Sequence, residues 1–179
     1  MNRDTAVDLL GRTSHMSGGV GQVAVPPAAR ALSTLSHIDY EDAFLVDTSS
    51  AEDRTGEQWA RAIFEDAPMI VRSALRSGWS SLGLRLDFRR SERFVLGWEV
   101  RRSTPGFVLL AASSRIGMPA ELLFKRQQHR LLFATFVQHE NPIARAVWAA
   151  VDPVHRPVVR YVLEHASRRT RKRGKTDER

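Results

Sequence analysis

Six residues carry most of the chemistry this sequence could offer: Tyr40, Asp42, Trp98, Phe124, Thr135 and His139. Along Ile38–Asp47, Tyr40, Asp42, Phe44 and Val46 alternate with Glu41, Ala43 and Leu45, which places the four on one face of a strand. Phe44 and Val46 make that face apolar, so Asp42 is expected to point inward. A carboxylate removed from water must be paired or neutral. An Arg or His partner would make Asp42 a structural ion pair; without one it becomes an acid or a ligand anchor. His139 closes a run in which Phe133, Thr135 and Val137 share its face. It reads either as a polar group of a cavity or as a solvent-facing strand end. Trp98, Phe124 and Phe136 are core residues, and become walls of a site only if a cavity opens beside them.

Other chemistries fail on spacing. His139-Glu140 lacks the second histidine a helical zinc motif needs, and the six histidines form no close pairs. Gly78-Trp79-Ser80-Ser81-Leu82 has Leu where a nucleophile elbow requires Gly. Ser17-Gly18-Gly19-Val20-Gly21 lacks the Gly-Lys-Ser/Thr ending that makes a phosphate loop. With no cysteine, thiolate chemistry and disulfides are excluded, which fits the cytoplasm. No cofactor and no metal are expected.

The elements that must position the six residues follow from period. Thr55 and Gln58 form a capping box ahead of a helix that buries Trp59, Ala62 and Ile63. Pro68 starts a second helix with Ile70, Val71, Ala74 and Leu75 as its core side, ended by Gly78. From Phe94 to His139 four runs of period two, separated by short turns, predict an antiparallel meander. Leu84–Phe88 adds a possible strand before it. Asn141-Pro142 opens a long helix to Arg169, with Ile143, Val147, Val151, Val154, Val158 and Val162 as its apolar stripe. Pro153 and Pro157 predict a kink or break between Val151 and Val158. His155 and Arg156 lie in that zone and read as donors to the carbonyls the prolines leave unbonded.

The 179 residues make one domain with a core. Residues 1–33 read as a flexible N-terminal segment, 34–169 as the domain and 170–179 as a basic disordered tail. The net charge of +7 is misleading: residues 168–179 hold seven basic and two acidic residues, leaving about +2 for all the rest. No apolar run approaches the ~20 residues of a membrane span, and no signal peptide is seen.

Strand, two helices, meander and long C-terminal helix together resemble the START-like, or helix-grip (SRPBCC), superfamily. More narrowly, Asp39-Tyr40-Glu41-Asp42-Ala43-Phe44 and Trp148-x-x-Val151-x-Pro153-x-His155-Arg156 resemble an uncharacterised bacterial family within it, over Ile38–Arg169. The resemblance implies an α+β fold, a curved antiparallel sheet wrapped around the C-terminal helix with a cavity between them. It also implies carriers, cyclase-like enzymes or sensors, since fold does not dictate activity. The expected function is binding of a small hydrophobic or amphipathic molecule in that cavity. The alternatives are a cyclase- or aromatase-like enzyme using the same cavity, and an acidic or nucleic-acid partner for the tail. A tail without aromatic residues argues against nucleic acid. The oligomeric state is not legible.

Overall fold

The computed structural model describes residues 19–48, 54–89 and 91–177. The fold is α+β. An antiparallel sheet holds strands β1 (Val20–Val23), β2 (Tyr40–Asp47), β3 (Leu84–Arg85), β4 (Phe94–Val95), β5 (Trp98–Ser103), β6 (Phe107–Ser114), β7 (Ala120–Gln127) and β8 (Arg130–Val137). Their order is β1-β2-β8-β7-β6-β5-β4, with β3 pairing β6 off that path. Helices α2 (Gly56–Phe64) and α3 (Met69–Ser81) follow β2, and α4 (Pro142–Asp177) closes the chain. The expected meander and long C-terminal helix are both present, in a helix-grip layout.

The inner face of the sheet carries Phe44, Leu110, Phe124 and Phe133, covered by Trp59 and Ile63 of α2 and Trp148 and Leu163 of α4. The capping box forms as its residues predict: Thr55 Oγ1 accepts from Gln58 N, and Gln58 Oε1 accepts from Thr55 N. Gly56 then brings α2 onto the sheet backbone. A Cβ there would lie 2.7 Å from Phe124 O and 2.8 Å from Phe107 Cα. Neither backbone atom can yield, so Gly56→Ala is expected to cost about 1–3 kcal/mol in urea unfolding.

Four expectations need correction. First, residues 20–33 are not a flexible connection. β1 pairs β2 from Val20↔Val46 to Val23↔Ala43, and α1 (Pro27–Arg30) lies on the outer sheet face. There Val25, Leu32, Leu35 and Ile38 cover Leu109, Leu123, Leu132 and Phe136. Polar clamps fix this strap: Glu121, 1% exposed, accepts from Ser33 Oγ at 2.6 Å and from Thr34 N and Oγ1. Gln138 Oε1 accepts from Ser36 N at 3.1 Å.

Second, the run Phe94–Arg101 is a hairpin rather than one strand. Leu96 and Gly97 both take positive φ (46° and 96°), a two-residue turn that folds β4 onto β5 with Val95↔Trp98. The expected strand over 84–88 shrinks to the two residues of β3.

Third, α4 has neither break nor the expected stripe. Pro153 and Pro157 leave the carbonyls of Ala149 and Pro153 without a helical donor. Ala149, Pro153 and Pro157 all lie exposed on one side, so those carbonyls are open to solvent and the helix continues. The buried side is Ala144, Trp148, Val162, Leu163 and Ala166, with His155 half-buried along it. Ile143 and Val154 are 67% and 58% exposed. The backbone stays helical beyond Arg168 to Asp177, so residues 170–177 are not a disordered tail. Just before that stretch, Arg169 donates to Ala62 O at 2.9 Å and to Asp66 O.

Fourth, α3 buries no residue. Val71, Leu75 and Trp79 only rest against the core, and Ile70, expected inside, is 82% exposed. The helix passes Gly78 and ends at Ser81.

Candidate functional site

The sheet register sets the site. Asp42 stands opposite Thr135 on β8, and Thr135 opposite Leu122 on β7. Alternation turns Tyr40, Asp42 and Thr135 toward α4, as expected. The rotated face of α4 then brings Trp148 and His155 down onto them.

Asp42 is 4% exposed. Tyr40 Oη donates to Asp42 Oδ2 at 2.9 Å, and Arg156 Nε donates to Tyr40 Oη at 3.2 Å from the solvent side. His155 Nε2 stands 3.2 Å from the same Oδ2, within ion-pair reach but off line for a hydrogen bond. The Tyr40 ring packs at 4.5 Å on Trp148 and edge-on at 5.7 Å to His155, while Trp148 and His155 lie 5.2 Å apart. Burial, joined by the negative charge of Asp42, pushes the Tyr40 hydroxyl far above the ordinary phenol range against the pull of Arg156. Tyr40 is therefore a fixed proton donor at every physiological pH. His155 and Arg156 do not serve the proline-freed carbonyls; they belong to this cluster.

Several polar atoms of the cluster are left over. Asp42 Oδ1, Thr135 Oγ1 and Trp148 Nε1 are buried with no hydrogen-bond partner among the described residues. Each such orphan costs roughly 1–3 kcal/mol. One acceptor, one hydroxyl and one indole donor at a single junction of sheet and helix are unsatisfied together.

His155 also borders an apolar cavity of about 60 Å³ between the sheet, α3 and α4. Phe64, Leu75, Trp79, Leu122, Phe133 and Val158 are among its walls. That volume holds a few heavy atoms, well under the ~300 Å³ of an ordinary ligand site. One of its walls is α3, the helix without a buried residue.

Of the six residues singled out by sequence, Tyr40, Asp42 and Thr135 lie together. His139 is at the edge: its ring is 6.3 Å from Trp148, and its backbone N–H donates to Asp39 Oδ2 at 2.6 Å. Burial, with Arg145 and His37 adding to it and Asp39 opposing, lowers its pKa, so the ring is neutral at pH 7. Phe124 is buried core between Phe64 and Phe133, with ring centroids 5.5 and 5.1 Å away. Trp98 sits on β5, four strands from β2, or ~19 Å at ~4.8 Å per strand. Sequence reasoning did not place Trp148 and His155 in the site. The signal was the alternative stripe Ala144, Trp148, Val151, His155, Val159, Val162 and Ala166, at helical steps of three and four.

Among the described residues no three His, Cys, Asp or Glu side chains gather where they could hold a metal. None of their helices is long and apolar enough to cross a membrane. No family model, no curated protein and no solved structure matches the chain.

Proposed function

We propose that the protein is a START-like binding module for a small molecule with an apolar body and one hydrogen-bonding head. The carrying observation is the set of orphaned buried atoms on Asp42, Thr135 and Trp148, a cluster joined through His155 to the cavity that this side chain borders. A hydroxyl on the ligand would donate to the Asp42–His155 pair and accept from an indole or hydroxyl proton. The apolar body would lie against Leu75, Phe133 and Val158, with α3 displaced outward to make room. The element order and the two sequence stretches that resemble the superfamily support the same reading.

The test uses phenol and toluene as probes, with methyl resonances of Leu75, Val158 and Val159 as the readout. Phenol is expected to shift them saturably and to bind about five- to tenfold more tightly than toluene, the worth of about one hydrogen bond. His155→Leu should erase that preference. Unperturbed methyls with both probes would leave a packing defect and end the proposal.

A histidine within 3.2 Å of a buried carboxylate is also the pairing from which a general base is built, and this favours an enzyme of the cyclase type as the second reading. Turnover of a bound ligand, lost in Asp42→Asn with binding retained, would favour it.

A further inference from the structure

The second face of α3 points elsewhere. Met69, Arg72, Ser73 and Arg76 recur at steps of three, one and three, one helical face. Together with Phe88, Arg89 and the Leu96-Gly97 turn they line an open groove of about 740 Å³. This lies in the size range of small-molecule sites and is separated from the His155 cavity by α3 itself.

Charge in the groove is unbalanced. Its lining has four arginines against two glutamates. Arg61 is fully engaged: it pairs with Glu57 and Glu65 and donates to the carbonyls of Glu92 and Phe94. Arg72 has a single backbone acceptor, Glu65 O at 3.1 Å. Arg89 is 3.6 Å from Asp87 and largely exposed. Arg76 has no hydrogen bond or ion pair among the described residues; its guanidinium lies 3.9 Å above the Phe88 ring. That cation–π contact holds the guanidinium at the groove while its N–H donors have no acceptor among the described residues, and such a planar fork suits a bidentate oxyanion contact. The ring is itself seated, because a Cβ at Gly97 would come within 2.7 Å of Phe88 Cε1. Arg72 and Arg76 lie one helical turn apart on the same face, within reach of a single anion.

We propose that this groove is a binding site for a small phosphate monoester with a flat apolar body. The phosphate would take the guanidiniums of Arg72, Arg76 and Arg89, and the body would pack against Phe88 and Met69. Arginine suits the task because its planar fork matches phosphate oxygens and stays charged at every working pH. The site owes nothing to the cavity reading, and either can fail alone.

Phenyl phosphate, methyl phosphate, benzoate and inorganic phosphate are the probes, titrated against the full chain with the arginine Nε–H resonances observed. Phenyl phosphate is expected to shift Arg72 and Arg76 saturably and to bind at least about tenfold more tightly than inorganic phosphate. The paired change Arg72→Gln with Arg76→Gln should weaken it at least about tenfold, one lost charge-assisted contact or more, with the melting temperature retained. Phe88→Leu should bring phenyl phosphate down toward methyl phosphate. Equal binding by wild type and the paired variant, or no saturation in the millimolar range, would overturn the site. Tighter binding of benzoate than of phenyl phosphate would reassign it to carboxylates and overturn the phosphate assignment. An oligothymidylate that outcompetes phenyl phosphate and still binds the paired variant would place phosphate recognition elsewhere.

Discussion

Glu121→Ala is expected to lower stability by about 3–5 kcal/mol in urea unfolding, although the residue faces away from the candidate site, on the opposite face of the sheet. Its carboxylate is buried on the outer sheet face and accepts from Ser33 Oγ and from the N–H and hydroxyl of Thr34. Alanine would leave three donors without their acceptor. It would also release the strap, so that Leu123 and Phe136 lose cover from Leu32 and Leu35. Glu121→Gln keeps an acceptor, and rotating hydroxyls can accommodate the new amide, so about 1–2 kcal/mol is expected there. Faster proteolysis between residues 24 and 38 in the alanine variant would accompany the loss. A cost below about 1 kcal/mol would mean that the strap is held by its apolar residues alone.

Trp98→Ala is the second large effect, about 3–5 kcal/mol. The indole is fully buried and meets Trp79 edge-on at 5.4 Å, the first contact of an aromatic series through Phe64 and Phe124 to Phe133. Trp79 is the largest apolar side chain that α3 lays on the core, so the change should loosen that helix besides opening a void. For a chain of this length the melting temperature should fall by about 10 °C. Because Trp98 is not among the cavity walls, phenol binding at His155 should survive at temperatures where the variant is folded. Loss of binding without loss of stability would put Trp98 in the site after all.

Period and capping residues made the architecture legible. Thr55 and Gln58 sit where their chemistry requires, and the turns at Thr104–Gly106 and Gln127–Arg130 fall between paired strands. Two misreadings share a cause. In α4 the valines mark two overlapping stripes, both containing Val151 and Val162, and nothing local decides between them. The bulk of Trp148 and Leu163 decides it once a sheet must be covered. Likewise Phe94, Leu96, Trp98 and Val100 keep period two in the sequence, yet the two-residue turn shifts the phase, so that Val95 rather than Phe94 shares the buried face of Trp98. The cover on the outer sheet face is legible in composition. Phe107–Ala112, and Leu131–Val137 apart from Thr135, are apolar on successive residues, as strands covered on both faces are. An inward Asp42 was readable from alternation. Its partner was not, since His155 lies more than a hundred residues away on a helix whose rotation only the assembled core defines.

The pairing of β2 with β8 also bears on how the chain reaches this state. Tyr40 meets Val137 and Val46 meets Leu131, so about ninety residues must be made before β2 gains its central neighbour. At synthesis rates of roughly 5–20 residues per second this is a wait of several seconds or more. Until then β2 has only β1 to pair with, and its other edge is open to association with other chains. Contacts this distant in sequence raise contact order and slow folding relative to local hairpins. The hairpins from β5 to β8 need only local contacts, whereas β2 and its strap must wait for β8. The Asp42–His155 pair is then complete only when both ends of the chain have docked, making it a late reporter of the native state.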